Sequence, residues 1–179
     1  MRKIVFIISL IILVGCTTLD ISNTPNKKVE EFLNKYQTLD EEVLNQLDNV
    51  VESKTELNDE NKEEYKKLIK KQYKNMQYTI KDTTVDGDEA TVTTQIIVKD
   101  FAKIINQAEN YKRKNMKEFY EDQVYNDNLY KKYLINKLND AKDRITYTVE
   151  FKLHKENTKW VLDPITEEIE DKILGIYKY

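Results

Sequence analysis

The chain has 179 residues, of which 34% are charged, and carries a formal net charge of −3 at pH 7. This mildly acidic balance argues against a nucleic-acid partner, which would require a basic surface stripe. A single cysteine excludes an internal disulfide, and about 160 residues beyond the N-terminal segment are enough for one domain with a hydrophobic core.

The first residues have the pattern of an export signal. Arg2 and Lys3 form a short positive start, and residues 4–14 are apolar apart from Ser9. This apolar run has the length of a signal-peptide core, and it is shorter than the roughly 20 residues that a membrane-spanning helix needs. The pattern therefore predicts a signal peptide rather than a membrane span.

The stretch Leu13-Val14-Gly15-Cys16 follows, and it resembles the lipobox of bacterial lipoproteins at all four positions. The resemblance implies attachment of a diacylglyceryl group to the Cys16 sulfur and cleavage between Gly15 and Cys16. Each buried CH₂ of an acyl chain stabilises membrane binding by about 0.8 kcal/mol, so two or more chains form a stable anchor. We therefore expect a protein held by lipid on the exterior face of the cell membrane. An ordinary signal peptide or an uncleaved anchor is the alternative.

Three short amphipathic helices are predicted next. Thr24-Pro25 is typical of a helix start, with a capping hydroxyl followed by proline in the first turn. Thr38-Leu39-Asp40-Glu41 has the spacing of a capping box for the second helix, and Asn58-Asp59 is a polar break before the third. Apolar residues at helical spacing mark the expected buried faces: Val29, Phe32, Leu33, Tyr36, Val43, Leu44, Leu47, Val50, Val51, Tyr65, Leu68, Ile69, Tyr73 and Met76.

The apolar period then changes from 3.6 to 2, which predicts two antiparallel strand pairs. The first pair turns at Asp86-Gly87, a strong hairpin signal, and apolar and polar residues alternate over 90–99. The second pair alternates over 145–154, turns at 155–158 and continues over 159–162. One face of each pair is therefore expected to be buried.

The remaining elements are helical. Residues 101–143 are predicted to form two helices with a break at 121–128, and a short final helix is predicted to end at Gly175. Together the elements predict an α+β fold. We expect a curved antiparallel sheet of about four strands packed against the N-terminal helices, with a helical insert between the two strand pairs.

Three segments are expected from this organisation. They are a lipoprotein signal peptide at 1–15, a tether at 16–23 and a single α+β domain at 24–179.

The two strand regions also carry a family resemblance. The stretches DTTVDGDEATVTTQIIV and RITYTVEFKLHKENTKWVLD, preceded by helices, resemble the nuclear-transport-factor-two-like fold. More narrowly, they are similar to small lipoproteins of low-GC Gram-positive bacteria that carry such a domain of unknown function. The V-x-G-D-x-A-x-V hairpin and the K-W-x-L/V-D strand recur in those domains. The resemblance covers about residues 25–163, the insert at 101–143 departs from the compact family pattern, and a cystatin-like packing of helix on sheet is the alternative.

This fold family includes isomerases and dehydratases that hold an Asp, His or Tyr in the mouth of a cone formed by the sheet. The one histidine here, His154, is predicted on the polar face of a strand next to a turn. It is either a solvated surface imidazole or a general base, and a base would need a pocket and an orienting partner. Ser22 and Ser53 lack a nucleophile-elbow motif, so we expect no catalytic residue and no cofactor.

Two further polar clusters are better explained by local structure than by a metal. Asp86, Asp88 and Glu89 lack the full oxygen cage of a calcium loop, and the hairpin turn accounts for them. Asn126-Asp127-Asn128 has the pattern of a helix break and cap. We therefore expect no metal site.

Tyrosines concentrate in the insert. They are Tyr111, Tyr120, Tyr125, Tyr130 and Tyr133. These residues form either an amphipathic core with its rim or a contact surface, because tyrosine provides large contact area at low entropic cost. Tyr120 and Tyr125 fit a regular stripe least well and are the candidate partner or ligand contacts.

These observations favour a membrane-anchored, non-enzymatic binding domain. Its partner would be an envelope protein or a small apolar ligand. One alternative is a hydrolase or isomerase with a cone-shaped pocket. Another is a chaperone or regulator of an envelope protein, which would carry an exposed apolar patch.

Overall fold

The computed structural model describes residues 23–178. Within this range the chain forms six α-helices, a four-stranded antiparallel sheet and a separate two-stranded hairpin. The helices are α1 (Pro25–Thr38), α2 (Glu41–Ser53), α3 (Asp59–Lys74), α4 (Phe101–Lys114), α5 (Asp127–Asn139) and α6 (Glu167–Leu174). The strands are β1 (Gln77–Asp86), β2 (Glu89–Lys99), β3 (Tyr120–Glu121), β4 (Val124–Tyr125), β5 (Arg144–Glu156) and β6 (Lys159–Leu162).

This order confirms the predicted α+β class, the four-stranded sheet and the helical insert between the two strand pairs. The signal peptide predicted at 1–15, the Gly15–Cys16 cleavage site and the lipidation site at Cys16 lie outside the described residues, as does most of the tether. The single domain at 24–179 stays a prediction.

The helix starts follow local capping chemistry. The Thr24 side chain accepts a hydrogen bond from the Lys27 amide at 3.2 Å, and Asn58 caps α3 in the same way. The predicted capping box at Thr38 is wrong. α1 continues through Thr38, whose hydroxyl donates to the Asn34 carbonyl at 2.8 Å, and Asp40 caps α2 instead. A threonine inside a helix satisfies a carbonyl of its own helix and is not available to the next one.

The sheet has the strand order β1-β2-β5-β6, and all neighbours are antiparallel. The central β2–β5 pair runs without interruption from Glu89 opposite His154 to Lys99 opposite Arg144. Its inward residues are buried and its outward residues are more exposed, as the period of 2 predicted. Strand β1 shifts its register between Ile80 and Asp82, which leaves Lys81 as an extra residue on this edge strand.

Helix α1 covers the apolar face of the sheet. Val29 and Leu33 are fully buried, and the Phe32 ring meets Phe151 of β5 edge-on at 5.7 Å. The main core continues from this contact through α2, α3 and α6, and the insert adds a smaller cluster of Ala108, Phe119 and Tyr130. The core therefore joins the helical layer to the sheet.

A buried amide ties α3, β2 and α6 together. The Gln72 side chain is 1% exposed and donates to the carbonyls of Lys99 and Leu174 at 3.0 and 2.9 Å. Its oxygen accepts from the Lys99 amide at 3.3 Å. Gly175 ends α6 as predicted, with a φ of 76°, and lies against the same group of atoms. This junction fixes α6 beside α3, where the candidate site lies.

The insert contains an element that the sequence did not predict. Between α4 and α5 the chain forms a 3₁₀ turn at Met116–Phe119 and then the β3–β4 hairpin. The predicted break at 121–128 covers most of this hairpin, and Asn126 caps α5 by accepting from the Asn128 amide at 3.0 Å.

Candidate ligand-binding site

A cavity of about 320 Å³ lies among α1, α2, α3 and α6. Its size is at the lower end of the range for small-molecule sites. Apolar side chains form most of its wall: Val43, Leu47, Val50, Ile69, Ile173 and Leu174. We call it the helical cavity.

The wall follows from the amphipathic pattern of α2. Val43, Leu47 and Val51 recur every four residues and are buried against the core. Val50 was predicted to be buried as well, but its side chain is 51% exposed. Because Val50 lines the helical cavity and is also open to solvent, it lies at the cavity mouth.

Two tyrosines provide polar groups inside this apolar wall. Tyr36 of α1 and Tyr73 of α3 are 8% and 9% exposed, and their ring centroids lie 5.0 Å apart at 81°. Burial raises the pKa of Tyr36 to about 12, with smaller contributions from Glu170 and Glu42. Burial also raises the pKa of Tyr73. Both hydroxyls therefore stay neutral at physiological pH and keep a proton to donate.

Tyr65 and Glu170 add polar groups on the side of α3 and α6, and Gln46 and Asn49 add two amides on the side of α2. Tyr65 is half-buried, and burial raises the pKa of its hydroxyl. Glu170 is the only charged residue among the described residues that line the helical cavity. The site thus combines a large apolar wall with three phenols, two amides and one carboxylate.

A second, smaller cavity of about 190 Å³ lies on the other side of α3, toward the insert. It shares Tyr65, Ile69 and Leu174 with the helical cavity. Its own wall is mostly apolar and includes Phe101 and Leu138, and the charged residues Lys54, Glu56 and Lys131 also line it. The three shared side chains therefore lie between the two cavities.

His154 lies on β5 at the polar face, as predicted. Its Nδ1 lies 2.6 Å from Asp163 Oδ1 and its Nε2 lies 3.3 Å from Glu156 Oε1. The imidazole has an orienting partner, but it does not line the two cavities above. Asp163 lines a cavity of about 410 Å³ between β5, β6 and α6 that His154 does not line. The arrangement favours the surface-imidazole interpretation.

The effect of Asp163 and Glu156 on the pKa of His154 should be measurable by titration. Asp163 first, and then Glu156, raise the pKa of His154 above its ordinary 6.5. The stabilisation from this pairing is therefore complete below pH 6.5 and is lost as the pH rises through the higher native pKa. We expect NMR titration of the single histidine to give a pKa above 6.5, which Asp163→Asn lowers more than Glu156→Gln. A wild-type pKa at or below 6.5 would contradict the pairing.

The two candidate tyrosines of the insert face each other across the β3–β4 hairpin. Tyr120 pairs with Tyr125, and their ring centroids lie 6.1 Å apart. The Tyr125 hydroxyl donates to Asp127 at 3.0 Å. Burial and this bond raise the pKa of Tyr125 to about 12. Contacts within the insert thus account in part for the presence of Tyr125, whereas the Tyr120 side chain is exposed.

Exposed large apolar side chains concentrate around this hairpin. Four of the six among the described residues fall between 116 and 129: Met116, Tyr120, Val124 and Leu129. Val124 is the most exposed, at 68%. We call these four residues the insert tip. It is separate from the helical cavity, since none of the four lines it.

The acidic β1–β2 turn is held by contacts within the chain. Asp88 pairs with Lys155 at 3.2 Å, and the Lys155 amide donates to the Asp88 carbonyl at 2.8 Å. Within residues 23–178, no group of three His, Cys, Asp or Glu side chains could hold a metal ion. No helix in the same range is long and apolar enough to cross a membrane.

Comparison with known proteins gives one structural likeness. No protein-family model and no curated protein matches the sequence. The fold is similar to the crystal structure of a candidate lipoprotein, ycdA, from Bacillus subtilis, with a TM-score of 0.46 and 16% sequence identity. The match covers 88% of this chain and 51% of that one, so this chain spans about half of that protein's length.

Sequence reasoning missed the helical cavity. Tyr36, Tyr65 and Tyr73 were recognised only as inward residues of their helices, and Glu170 was not singled out. These residues come together only because α6 packs against α3. Residue spacing within a single helix does not predict this long-range contact. The available signal was the polar tip that each tyrosine brings to an otherwise apolar face.

Proposed function

We propose that this chain is a lipoprotein anchored through Cys16 whose α+β domain binds a small, largely apolar ligand without catalysis. The helical cavity carries the proposal, because it joins an apolar wall to two buried phenols that can fix a ligand's orientation. We further propose a nuclear-transport-factor-two-like or cystatin-like fold, which is supported by α1 lying across a four-stranded antiparallel sheet.

The start of the described chain supports a position close to the membrane. Asn23 donates to the Thr158 carbonyl at 2.8 Å and accepts from the Trp160 amide at 2.9 Å. These bonds hold the chain against the β5–β6 turn. From Cys16 to Asn23 an extended chain spans at most roughly 25 Å. A lipid on Cys16 would therefore keep the domain within reach of ligands that are concentrated at the membrane surface.

A change at the cavity mouth should remove the ligand. Val50→Trp places a large ring at the mouth, whereas Val85→Trp makes the same change at a residue of equal exposure, 53% against 51%, that does not line the cavity. We expect native mass spectrometry of the full chain from its own host to show an extra mass that leaves on denaturation. Val85→Trp should retain this mass and Val50→Trp should lose at least 80% of it. A bare chain in all three samples would contradict the proposal, as would an equal load in both variants.

A second candidate function is recognition of an envelope protein by the insert tip. It is favoured by the concentration of exposed apolar side chains there, since such side chains often mark an interaction site. The insert that carries the tip begins at the end of β2 opposite the anchored end of the domain. β2 runs for 11 residues from the end held near Asn23 to Lys99, where the insert begins, which is roughly 36 Å.

The tip should report a partner through crosslinking in living cells. A photo-crosslinking residue at Val124 is expected to give one discrete adduct, and the same residue at Val85, an exposed valine outside the insert, is expected to give none. Adding Tyr120→Ala should reduce the Val124 adduct at least fivefold, because an aromatic anchor is lost. Identical adducts from Val124 and Val85 would show nonspecific capture and would dismiss this candidate.

A further inference from the structure

We infer that the helical cavity selects a small organic cation with apolar substituents, such as a quaternary ammonium group; this inference rests on the proposed ligand-binding function. Three tyrosines and one carboxylate line the same cavity, and the rest of the wall is mainly apolar. Aromatic rings with a nearby carboxylate are the usual means of holding a quaternary ammonium ion, which cannot donate a conventional hydrogen bond.

The charge of the lining favours a cation over an anion. Glu170 is the only charged group among the described residues of the wall, and no lysine or arginine is among them. The carboxylates of Glu170 and Glu42 both act on the Tyr36 hydroxyl, where they add to the effect of burial in raising its pKa. An anionic ligand would therefore meet the Glu170 carboxylate without a basic partner in the lining.

Two of the three cavity tyrosines, Tyr36 and Tyr73, are without a lysine contact among the described residues, whereas Lys54 lies 5.5 Å from the ring centroid of Tyr65. In the insert, Lys112 lies 4.1 Å from the Tyr130 ring centroid and Lys137 lies 5.3 Å from that of Tyr133. In the part of the chain that the structure describes, no such lysine contact occurs at Tyr36 or Tyr73. Their electron-rich rings thus have no cation from the protein itself.

The apolar wall selects the type of cation. The apolar side chains that form most of the wall, such as Val43, Leu47 and Ile173, offer no hydrogen-bond acceptors. Acceptors are limited to the side chains of Gln46, Asn49 and Glu170 and the tyrosine hydroxyls, so a primary ammonium would lose part of its hydration on entry. A cation shielded by methyl groups is more weakly hydrated and gains contact area with the same wall. We therefore expect methylated ammonium groups to bind better than a primary amine of similar size.

The test uses three probes of the same shape. Choline carries a positive charge, 3,3-dimethylbutanol is its neutral isostere and 3,3-dimethylbutanoate is an anion. Isothermal titration of the full chain, in a steroid-based nonionic detergent that is too bulky for the 320 Å³ cavity, is expected to give choline at least a tenfold tighter Kd than the alcohol. No binding is expected for the anion.

Matched variants locate the selectivity. Glu170→Gln should bring choline and the alcohol within twofold of each other, whereas Glu167→Gln, an exposed change on the same helix outside the cavity, should keep the tenfold difference. Tyr36→Leu should weaken choline binding at least fivefold, and Tyr36→Phe, which keeps a ring, should weaken it less.

The outcomes separate this inference from the function on which it rests. Equal affinity for choline and the alcohol would overturn the cation inference and leave the apolar-ligand proposal standing. Selectivity that persists in Glu170→Gln would also overturn it, as would the absence of binding by all three probes. The apolar-ligand proposal itself is decided by the co-purified mass and its loss in Val50→Trp.

Discussion

Gly175→Ala is expected to destabilise the fold by about 3 kcal/mol or more. Gly175 has a φ of 76°, where a residue with a Cβ pays roughly 1–2 kcal/mol. An added Cβ would also lie 2.2 Å from the Lys99 carbonyl oxygen and 2.8 Å from Gln72 Nε2. Relieving this overlap must separate α6 from β2 or displace the buried amide. Leaving that amide without its partners costs a further 1–3 kcal/mol, roughly.

Gly87→Ala is the matched control. Gly87 also has a positive φ, 61°, but no atom lies within 4 Å of an added Cβ. It should therefore cost only about 1 kcal/mol, the backbone strain alone. Urea unfolding followed by circular dichroism measures both free energies. Equal losses at the two glycines would show that the Gln72 junction is not a tightly packed contact.

The Gly175→Ala substitution should weaken ligand binding as well as the stability of the fold. Gly175 ends the helix that carries Glu170 and Ile173, and both residues line the helical cavity. A displaced α6 would widen the cavity on that side and move its one carboxylate. A partly folded Gly175→Ala chain should therefore also lose the co-purified ligand, while Gly87→Ala should retain it.

The sheet was predictable because the alternation of apolar and polar residues along a strand directly reflects its buried and exposed faces. Residues 90–98 and 145–153 alternate because α1 covers one face of the sheet and the other face is more exposed. The starts of α1 and α3 were predictable for a similar reason, since Thr24 and Asn58 satisfy amides only three residues away. In each case the determining contact is short in sequence or repeats with a fixed period.

The features that the sequence did not predict depend on contacts that are neither local nor periodic in the sequence. The β3–β4 hairpin turns at Asp122 and Gln123 with φ values of 49° and 68°. A turn of this kind normally uses Asn-Gly or Asp-Gly, so Asp-Gln gave no signal. The helical cavity joins residues as distant as Tyr36 and Glu170 through the packing of α6 on α3. Val50 fits the apolar stripe of α2, but this local pattern does not predict that the residue lines the helical cavity and remains 51% exposed.

Loss of the lipid anchor is the largest effect expected from a single substitution in this chain, because Cys16 is either lipidated or not. Cys16→Ser should abolish incorporation of a labelled fatty acid, because serine lacks the thiol on which the thioether forms. Cleavage after Gly15 should stop with it, since the bacterial-lipoprotein resemblance implies that cleavage follows lipidation of Cys16. The measurement is metabolic labelling with an alkyne-tagged fatty acid, together with the mass of the N-terminal peptide.

A displaced thiol gives the decisive control. The double variant Cys16→Ser, Ser22→Cys restores one cysteine six positions later, outside Leu13-Val14-Gly15-Cys16, and should remain unlabelled. Equal labelling of wild type and Cys16→Ser would exclude lipidation at this position, and labelling of the double variant would show that any exported thiol suffices.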